Sequence, residues 1–393
     1  MFKVIVKESS YEYERLKADV YEMLSRLEEG KLTTVDQLNM EERQIPVDRQ
    51  THSPEPCATF FEGAKVLIKP NLLTYAPPEK AITTHPLLVR AVAEYVLSRG
   101  CHPYVSDSPG MGKFGKVVKD CGLLDALSDL DVPCREFKDS RRVNVQSKFN
   151  DLELAGEALD ADVVINLPKL KTHTQMGLTL AVKNLFGTVV GVRKPDWHFK
   201  IGENRELFAE LLVTICRTIR PAVNVIDGIL ALEGDGPGSG GTPRHLGVLI
   251  ASDDALSLDM AVCEMLDVDP MSIMTNKVYG MGGPVKGYTL EGEEKKVTDF
   301  LFPATSDIVF GPAFAKKFLR HNLTARPSNK KDICKLCNEC VKICPAGAIT
   351  NDTKKLSFDY DKCIRCYCCL EICPHSAIEV HQPLLRRALK KFL

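Results

Sequence analysis

The chain has 393 residues, 44% of them hydrophobic and 26% charged, with a formal net charge of −1. That length exceeds what one hydrophobic core usually organises, so one large unit with a small one appended, or two of moderate size, is expected. The near-zero charge offers no general attraction to nucleic acid, and no uncharged apolar run approaches the roughly 18 residues of a membrane span.

The opening MFKVIVKESSYEYERL lacks the apolar core and small-residue cleavage site of a signal peptide, so a cytoplasmic protein is expected. Residues 1–60 read as an N-terminal extension: a strand at Val4–Val6, a charged amphipathic helix from Tyr11 to Leu27, and a polar connector reaching Pro56. From Ala64 apolar runs alternate with segments of helical period, which predicts an α/β domain over 61–324 with a mostly parallel sheet flanked by helices. The clearest helix follows Thr83-Thr84-His85-Pro86. Leu87, Leu88, Ala91, Val92, Tyr95 and Val96 form one stripe, Pro86 suits a first turn and Gly100 a C-terminal cap. Further helices are expected at Phe114–Leu127, Glu206–Ile219 and Leu256–Leu266, a loop after Met281, and a linker at Arg326-Pro-Ser-Asn-Lys-Lys.

Four apolar runs in this domain end in polar residues: Val66-Leu-Ile-Lys69-Pro-Asn71, Tyr104-Val-Ser-Asp107, Val163-Val-Ile-Asn166-Leu-Pro-Lys169-Leu-Lys171-Thr-His173, and Val223-Asn-Val-Ile-Asp227. If the runs are parallel strands, their carboxyl ends share one edge, where open α/β sheets bind ligands. Lys69, Asn71, Asp107, Asn166, Lys169, Lys171, His173 and Asp227 would then converge. An extended Lys169–His173 puts both lysines and the histidine on one face. These cations, beside the helix start at Thr83-Thr84-His85, would favour a carboxylate or phosphate. Asp227-Gly228 leads into Leu232-Glu233-Gly-Asp-Gly-Pro-Gly-Ser-Gly-Gly, whose small residues permit close backbone approach. A divalent-metal site from His85, Asp107, His173, Asp227 and Glu233 is an option that no local spacing specifies. Taken singly, each of these residues also has a structural reading as a solvated lysine or a turn-forming Asp or Asn.

Fifteen cysteines in a reducing compartment point to metal or cluster ligation rather than disulfides. Cys57, Cys101, Cys121, Cys134, Cys216 and Cys263 are scattered among apolar neighbours and read as core thiols. The other nine fall between Cys334 and Cys373, in two copies of C-x2-C-x2-C-x3-C-P offset by 29 residues. Three closely spaced thiolates wrap one cluster, and the fourth, turned away by its proline, reaches the neighbouring one. That assigns one [4Fe-4S] cluster to Cys334, Cys337, Cys340 and Cys373, and another to Cys363, Cys366, Cys369 and Cys344. Zinc, the structural alternative, needs neither the close third cysteine nor the Cys-Pro ending. Cys368 has no counterpart in the first copy and reads as a bystander thiol or a substitute ligand. Residues 325–380 are thus expected to form a small α+β domain with pseudo-twofold symmetry. Residues 381–393 are expected to be an amphipathic basic tail with Leu384, Leu385, Ala388, Leu389 and Phe392 on one face.

The cysteine tract resembles bacterial-type two-cluster ferredoxins, which implies low-potential one-electron transfer. The motifs Ile68-Lys-Pro-Asn-Leu-Leu, Thr83-Thr-His-Pro, Asp107-Ser-Pro-Gly, Asn166-Leu-Pro-Lys-Leu-Lys-Thr-His, Ala181-Val-Lys-Asn-Leu-Phe-Gly, Trp197-His198 and Asp227-Gly with Glu233-Gly-Asp-Gly-Pro resemble the uncharacterised domain family numbered 362 among domains of unknown function. That resemblance brings no activity, but it adds Lys183, Asn184, Trp197 and His198 to the candidates. Trp197, the only tryptophan, reads equally as a packing residue and as a stacking surface for substrate.

The expected function is an iron-sulfur oxidoreductase of an anaerobic or microaerobic cytoplasm. A redox protein or other low-potential donor reduces the clusters, which pass single electrons to a small anionic substrate or cofactor at the strand tips. Lys69, Lys169 and Lys171 hold the anionic group, His173 or Lys183 supplies a proton, and Asp107 and Asp227 orient donors or a metal. Asn71, Asn166, Trp197, His198 and Glu233 complete the binding set. The alternatives are an electron carrier or maturation factor that docks a partner enzyme, and a non-redox enzyme with structural clusters.

Overall fold

The computed structural model describes residues 2–35, 60–110, 112–145, 147–191, 193–281, 287–303, 320–352 and 354–385, with the side chains of 30–35 left out. The connector up to Pro56, most of the loop after Met281 and most of the expected tail lie outside the described residues.

The strands of the large unit are β1 (Phe2–Glu8), β2 (Lys65–Pro70), β3 (His102–Asp107), β4 (Cys134–Glu136), β5 (Ser140–Arg142), β6 (Glu153–Ala155), β7 (Val163–Leu167), β8 (Lys169–His173), β9 (Gly177–Thr179), β10 (Val223–Gly234), β11 (Gly241–Ser252) and β12 (Tyr288–Gly292). Ten of them form one sheet with the path β12-β1-β11-β10-β7-β2-β3-β4, β8 and β9 branching from β10, while β5 and β6 make a separate antiparallel ribbon. The four runs singled out in the sequence are β10, β7, β2 and β3, contiguous and parallel. Register pairs Lys69 with Asn166 and Asn166 with Asn224, so these three lie level, and Asp227 stands three residues further along β10, opposite Lys169. Val163–Leu167 is buried throughout, as expected of a parallel strand covered on both faces.

Each face of the sheet carries its own core. One is built around the helices Arg205–Ile219 and Ala255–Met265, the other around Tyr13–Val35 and Pro86–Ser98. The helix expected after His85 runs Pro86–Ser98, with His85 as N-cap accepting from Leu87 N–H and Leu88, Ala91, Val92, Tyr95 and Val96 buried. The helix expected over Phe114–Leu127 breaks into Phe114–Asp120 and Leu123–Ala126, because Gly122 takes a left-handed φ of 74°. Of the scattered cysteines, Cys101, Cys121, Cys216 and Cys263 are buried and Cys134 is partly so; Cys57 lies outside the described residues.

The expected linker is instead a strand. In the small unit β13 (Arg326–Asn329) pairs antiparallel with β16 (Ile378–His381), and β14 (Ile349–Asn351) with β15 (Leu356–Phe358). Pro327 is tolerated because the sheet has only two strands, so one side of β13 needs no ladder donor. Helices Glu339–Ile343 and Cys368–Ile372 occupy equivalent places 29 residues apart, which gives the expected internal repeat. The glycine-rich stretch after Leu232 is the end of one long hairpin: β10 runs on to Gly234 and β11 begins at Gly241.

That hairpin end holds the small unit. A Cβ on Gly238 would overlap the carbonyl oxygen of Glu371, so the close approach requires glycine. Ser376 Oγ donates to Ser239 O at 2.6 Å, and Glu203 pairs with Arg365 at 2.8 Å and Arg320 at 2.6 Å. Gly238→Ala is therefore expected to force these backbones apart and destabilise the protein by about 1–3 kcal/mol, as overpacking does. Gly115→Ala, which meets nothing within 4 Å, should be near neutral. Anaerobic denaturation followed by circular dichroism checks both.

Candidate functional site

Two lysine–aspartate pairs brace the strand tips. Lys69 Nζ, at the end of β2, lies 3.0 Å from Asp107 Oδ1 at the end of β3, and Asp107 also accepts from the Leu72 and Ser108 N–H groups. A Cβ on Gly187 would overlap both partners, so this residue's lack of a side chain lets the backbone lie against them. Lys169 Nζ on β8 lies 2.8 Å from Asp227 Oδ2 on β10. Tyr11 Oη donates to Asp227 Oδ1 at 2.6 Å, and the Tyr11 ring stacks on His85. Burial works against the Asp227 carboxylate, but Lys169 and Tyr11 outweigh it and hold its pKa below the usual range. The N–H of His85 donates to Asp227 Oδ2 at 2.8 Å, so the anion at that helix start is supplied by the chain itself.

Between these pairs runs a ladder of amides. Lys171 Nζ donates to Asn71 Oδ1 (2.7 Å) and to Ile82 O (2.7 Å). Asn71 donates to Asn184, Asn184 to Asn166, and Asn166 to Asn224, at 2.7–2.9 Å. Each carboxamide passes its orientation to the next across adjacent strand ends.

Beside the ladder opens a cleft of ≈ 820 Å³, open solvent included, closed on its far side by the small unit. Its cations are Lys171, Lys183 and Lys194, with His198 beside them; Leu72, Leu73, Phe186, Ile343 and Ile372 supply apolar wall. Burial drives Lys171 well below its ordinary value, with Lys183 adding to the effect, and lowers Lys183 as well. Lys194 Nζ bonds Ser108 Oγ and Ser108 O, both at 2.9 Å, and burial brings it down to about 7. His198 is 7% exposed, burial lowers it to about 4, and its Nδ1 has no hydrogen-bond partner among the described residues.

His173 faces the small unit. Its Nδ1 accepts from Gln175 N–H and Met176 N–H, which leaves the proton on Nε2, 3.1 Å from Glu371 Oε1. Burial holds His173 at about 4. Burial also opposes charge on Glu371, but His173, Lys183 and His198 outweigh it and bring that carboxyl down to about 2.

The cysteines surround two cavities of ≈ 310 Å³ each. One is lined by Cys334, Cys337, Cys340 and Cys373, the other by Cys344, Cys363, Cys366 and Cys369, together with Cys368. The fourth cysteine of each comb thus sits in the other comb's cavity. Leu336, Asn338, Arg365 and Tyr367 take left-handed backbone at matching positions, curling both combs alike, and Ala348 and Ala377 N–H donate to the sulfurs of Cys344 and Cys373. Two groups of cysteine sulfurs, each supplied by both combs, are the donor set that iron-sulfur clusters take.

A family model described as a domain of unknown function (DUF362) matches residues 66–264, half of the sequence. The chain belongs to the DUF362 family. A second model, a 4Fe-4S dicluster domain, matches residues 326–374, which supports iron-sulfur electron transfer by this DUF362 protein. A thylakoid-associated protein of Synechocystis sp. is 45% identical over 213 residues, a match spanning 54% of this chain and 66% of that one. The apoprotein of lactate racemase from Thermoanaerobacterium thermosaccharolyticum covers 67% of this chain and 56% of its own at 10% identity and a TM-score of 0.38, too slight a likeness to carry over a site. Among the described residues no helix is long and apolar enough to cross a membrane.

The cleft of this DUF362 protein gathers Asn71, Asp107, Lys171, Lys183, Asn184 and His198 from the expected set, but not the rest. Lys69 and Lys169 are neutralised by their aspartates, Asn166 is spent in the ladder, and Glu233 pairs with Arg244 at 3.0 Å. Trp197 is buried edge-on against Phe149, which favours its packing reading. Four of the five residues of the optional divalent-metal site are drawn into separate pairs and the fifth, His85, stacks on Tyr11; among the described residues no group of three His, Cys, Asp or Glu side chains is arranged to hold a single ion. Sequence reasoning missed Lys194, Ser108 and Glu371. Lys194 stands three residues before the noted Trp197-His198, and Glu371 hides between two cluster cysteines.

Removing one member of a buried ion pair strands the other. Lys169→Met is expected to cost about 3–5 kcal/mol in anaerobic urea unfolding, whereas Lys183→Met, which removes a buried cation with no carboxylate within 4.0 Å among the described residues and only the longer-range attraction of Glu371, should cost less. His173 and His198 have folded pKa values near 4, below the ordinary 6.5, so their neutral forms favour the fold. That stability is full above pH 6.5 and is lost as pH falls toward 4. His173→Gln should flatten the fall in unfolding midpoint across this range.

Proposed function

We propose that this protein is an iron-sulfur oxidoreductase that delivers single electrons to an anionic molecule held in the lysine-lined cleft. The observation that carries this reading is Cys368, whose side chain borders both the cleft and the cavity ringed by Cys344, Cys363, Cys366 and Cys369. Held by the eight comb cysteines, two [4Fe-4S] clusters supply one-electron transfer. The other cavity belongs to the outward comb, whose Cys337 is exposed while its counterpart Cys366 is buried. A low-potential redox protein would meet the chain there.

Each electron added to a bound molecule adds one negative charge, which is costly in a desolvated site unless a proton follows. Lys183 and Lys194 carry protons into the cleft, and two electrons with two protons reduce one unsaturated bond. His173 is not the donor in this reading, since its Nε2 lies 3.1 Å from Glu371 Oε1 and the ring is neutral at pH 7. Lys69, Lys169 and Asp227 act as braces for the strand tips. A carrier that merely docked a partner enzyme would have no need of a lysine-lined cleft beside its buried comb.

Redox titration of anaerobic holoprotein, read by electron paramagnetic resonance, is expected to show two reducible cluster signals. Lys183→Met should shift one of them to lower potential by on the order of tens of millivolts, through loss of a nearby positive charge, and leave the other in place. Clusters that cannot be reduced, or two signals indifferent to Lys183, would defeat the proposal.

A further inference from the structure

We propose that Ser108 and Lys194 form a nucleophile–base pair for acyl transfer in the cleft: Ser108 Oγ attacks the carbonyl of an ester or thioester, and Lys194 Nζ takes the hydroxyl proton. This is a second chemistry of the same space, beyond the redox reading and independent of it. Ser108 follows Asp107 at the tip of β3, Lys194 lies in the helix Arg193–Ile201, and both line the cleft. They are 3% and 8% exposed, so little water competes for the bond between them.

The hydrogen bonds around Ser108 Oγ carry the argument. Gly191 N–H donates to it at 2.9 Å, and Lys194 Nζ lies 2.9 Å away. A hydroxyl has one proton to give and two lone pairs. Gly191 occupies one lone pair, and among the described residues the proton has no acceptor except Lys194 Nζ. Lys194 Nζ also donates to Ser108 O at 2.9 Å. A neutral amine serves every group here, giving one N–H to Ser108 O and receiving the hydroxyl proton on its lone pair. An ammonium has no lone pair and would leave that proton unplaced. Nor does an ion pair hold Lys194 charged among the described residues, since Asp107 is bound to Lys69 at 3.0 Å. The surroundings agree: burial lowers Lys194 to about 7, Lys69 adds to that, and Asp107 and Glu136 only partly oppose it. A serine beside a lysine base is a recurring nucleophile arrangement.

The rest of the cleft suits an acyl substrate. Leu73 packs on Gly110, two residues beyond Ser108, and with Leu72 and Phe186 gives apolar wall for an acyl body. The buried His198 Nδ1, without a hydrogen-bond partner among the described residues, offers a place for a polar group of the ligand. As the bond from Oγ to the carbonyl carbon forms, the hydroxyl proton passes to Lys194 Nζ. The carbon–oxygen or carbon–sulfur bond to the leaving group then breaks, and the leaving atom takes that proton. A water deprotonated by Lys194 next attacks the serine ester, releasing the carboxylic acid and restoring Ser108. No oxidant or reductant is consumed.

The test uses anaerobic holoprotein with diisopropyl fluorophosphate and with p-nitrophenyl hexanoate, read by peptide mass mapping and by release of nitrophenol. Both reagents are expected to modify Ser108, at a rate that rises with pH to a plateau with its midpoint at about 7, as Lys194 loses its proton. Lys194→Met should slow the reaction by roughly 10²–10⁴-fold, the usual worth of a general base. Lys194→Arg, which keeps a donor in place but does not give up its proton, should be equally slow. Ser108→Ala should carry no adduct, and cluster absorbance certifies the fold of each variant. Modification of a lysine instead of Ser108, a rate indifferent to Lys194, full reactivity of the arginine variant, or no adduct on folded holoprotein would overturn the proposal. Clusters that resist reduction while Ser108 still reacts would remove the redox reading and leave this one standing; reducible clusters beside an inert Ser108 would do the reverse.

Discussion

The backbone contact between Gly238 and the carbonyl of Glu371 sets how the cysteine-bearing unit sits on the sheet. Because no side chain intervenes, the long β10–β11 hairpin brings the helix Cys368–Ile372 directly over the strand tips, and Glu371 reaches His173. The same contact shuts one side of the cleft and withdraws Lys171, Lys183 and His198 from water. Their lowered pKa values follow from that desolvation, so the electrostatics of the site are a consequence of docking as much as of sequence.

Cations at the strand tips divide into two kinds. Lys69 and Lys169 meet aspartates on neighbouring strands, and with every polar atom engaged those pairs tie β2 to β3 and β8 to β10. Lys171 is held by two neutral oxygens, and Lys194 by a serine, so each is fixed in place while burial lowers its pKa and an incoming anion would raise it. Oriented amines that gain their charge from the ligand are what an anion site requires. The amide ladder from Asn71 to Asn224 adds rigidity without adding charge, because a carboxamide donates and accepts at once.

Much of the architecture was legible because it follows from period and composition. Apolar runs ending in Lys69, Asp107, Asn166 and Asp227 gave four parallel strands, and the comb spacing gave the crossed cysteine cages. Three errors share one physical cause, the tertiary partner. Asp227 reads as a ligand-facing carboxylate until Lys169, Tyr11 and His85 N–H are seen to consume it. Glycines after Glu233 signal close approach, but sequence does not say that the approaching backbone is the chain's own. Arg326–Asn329 has the composition of a linker and becomes a strand because β16 lies beside it. Lys194 carries no signal of its own, since an isolated lysine near a proline is ordinarily solvated.

The departures from repeat symmetry are informative in turn. At the 29-residue offset Leu336 corresponds to Arg365, Glu339 to Cys368 and Lys342 to Glu371. On the outward comb, Glu339 and Lys342 pair with each other at 2.8 Å on the surface. On the inward comb, Arg365 pairs with Glu203 of the large unit, Glu371 meets His173, and Cys368 borders the cleft. Here the metal-ligand positions are kept alike, and the substitutions fall on the face that meets the sheet, turning one half of a symmetric unit into a wall of the cleft.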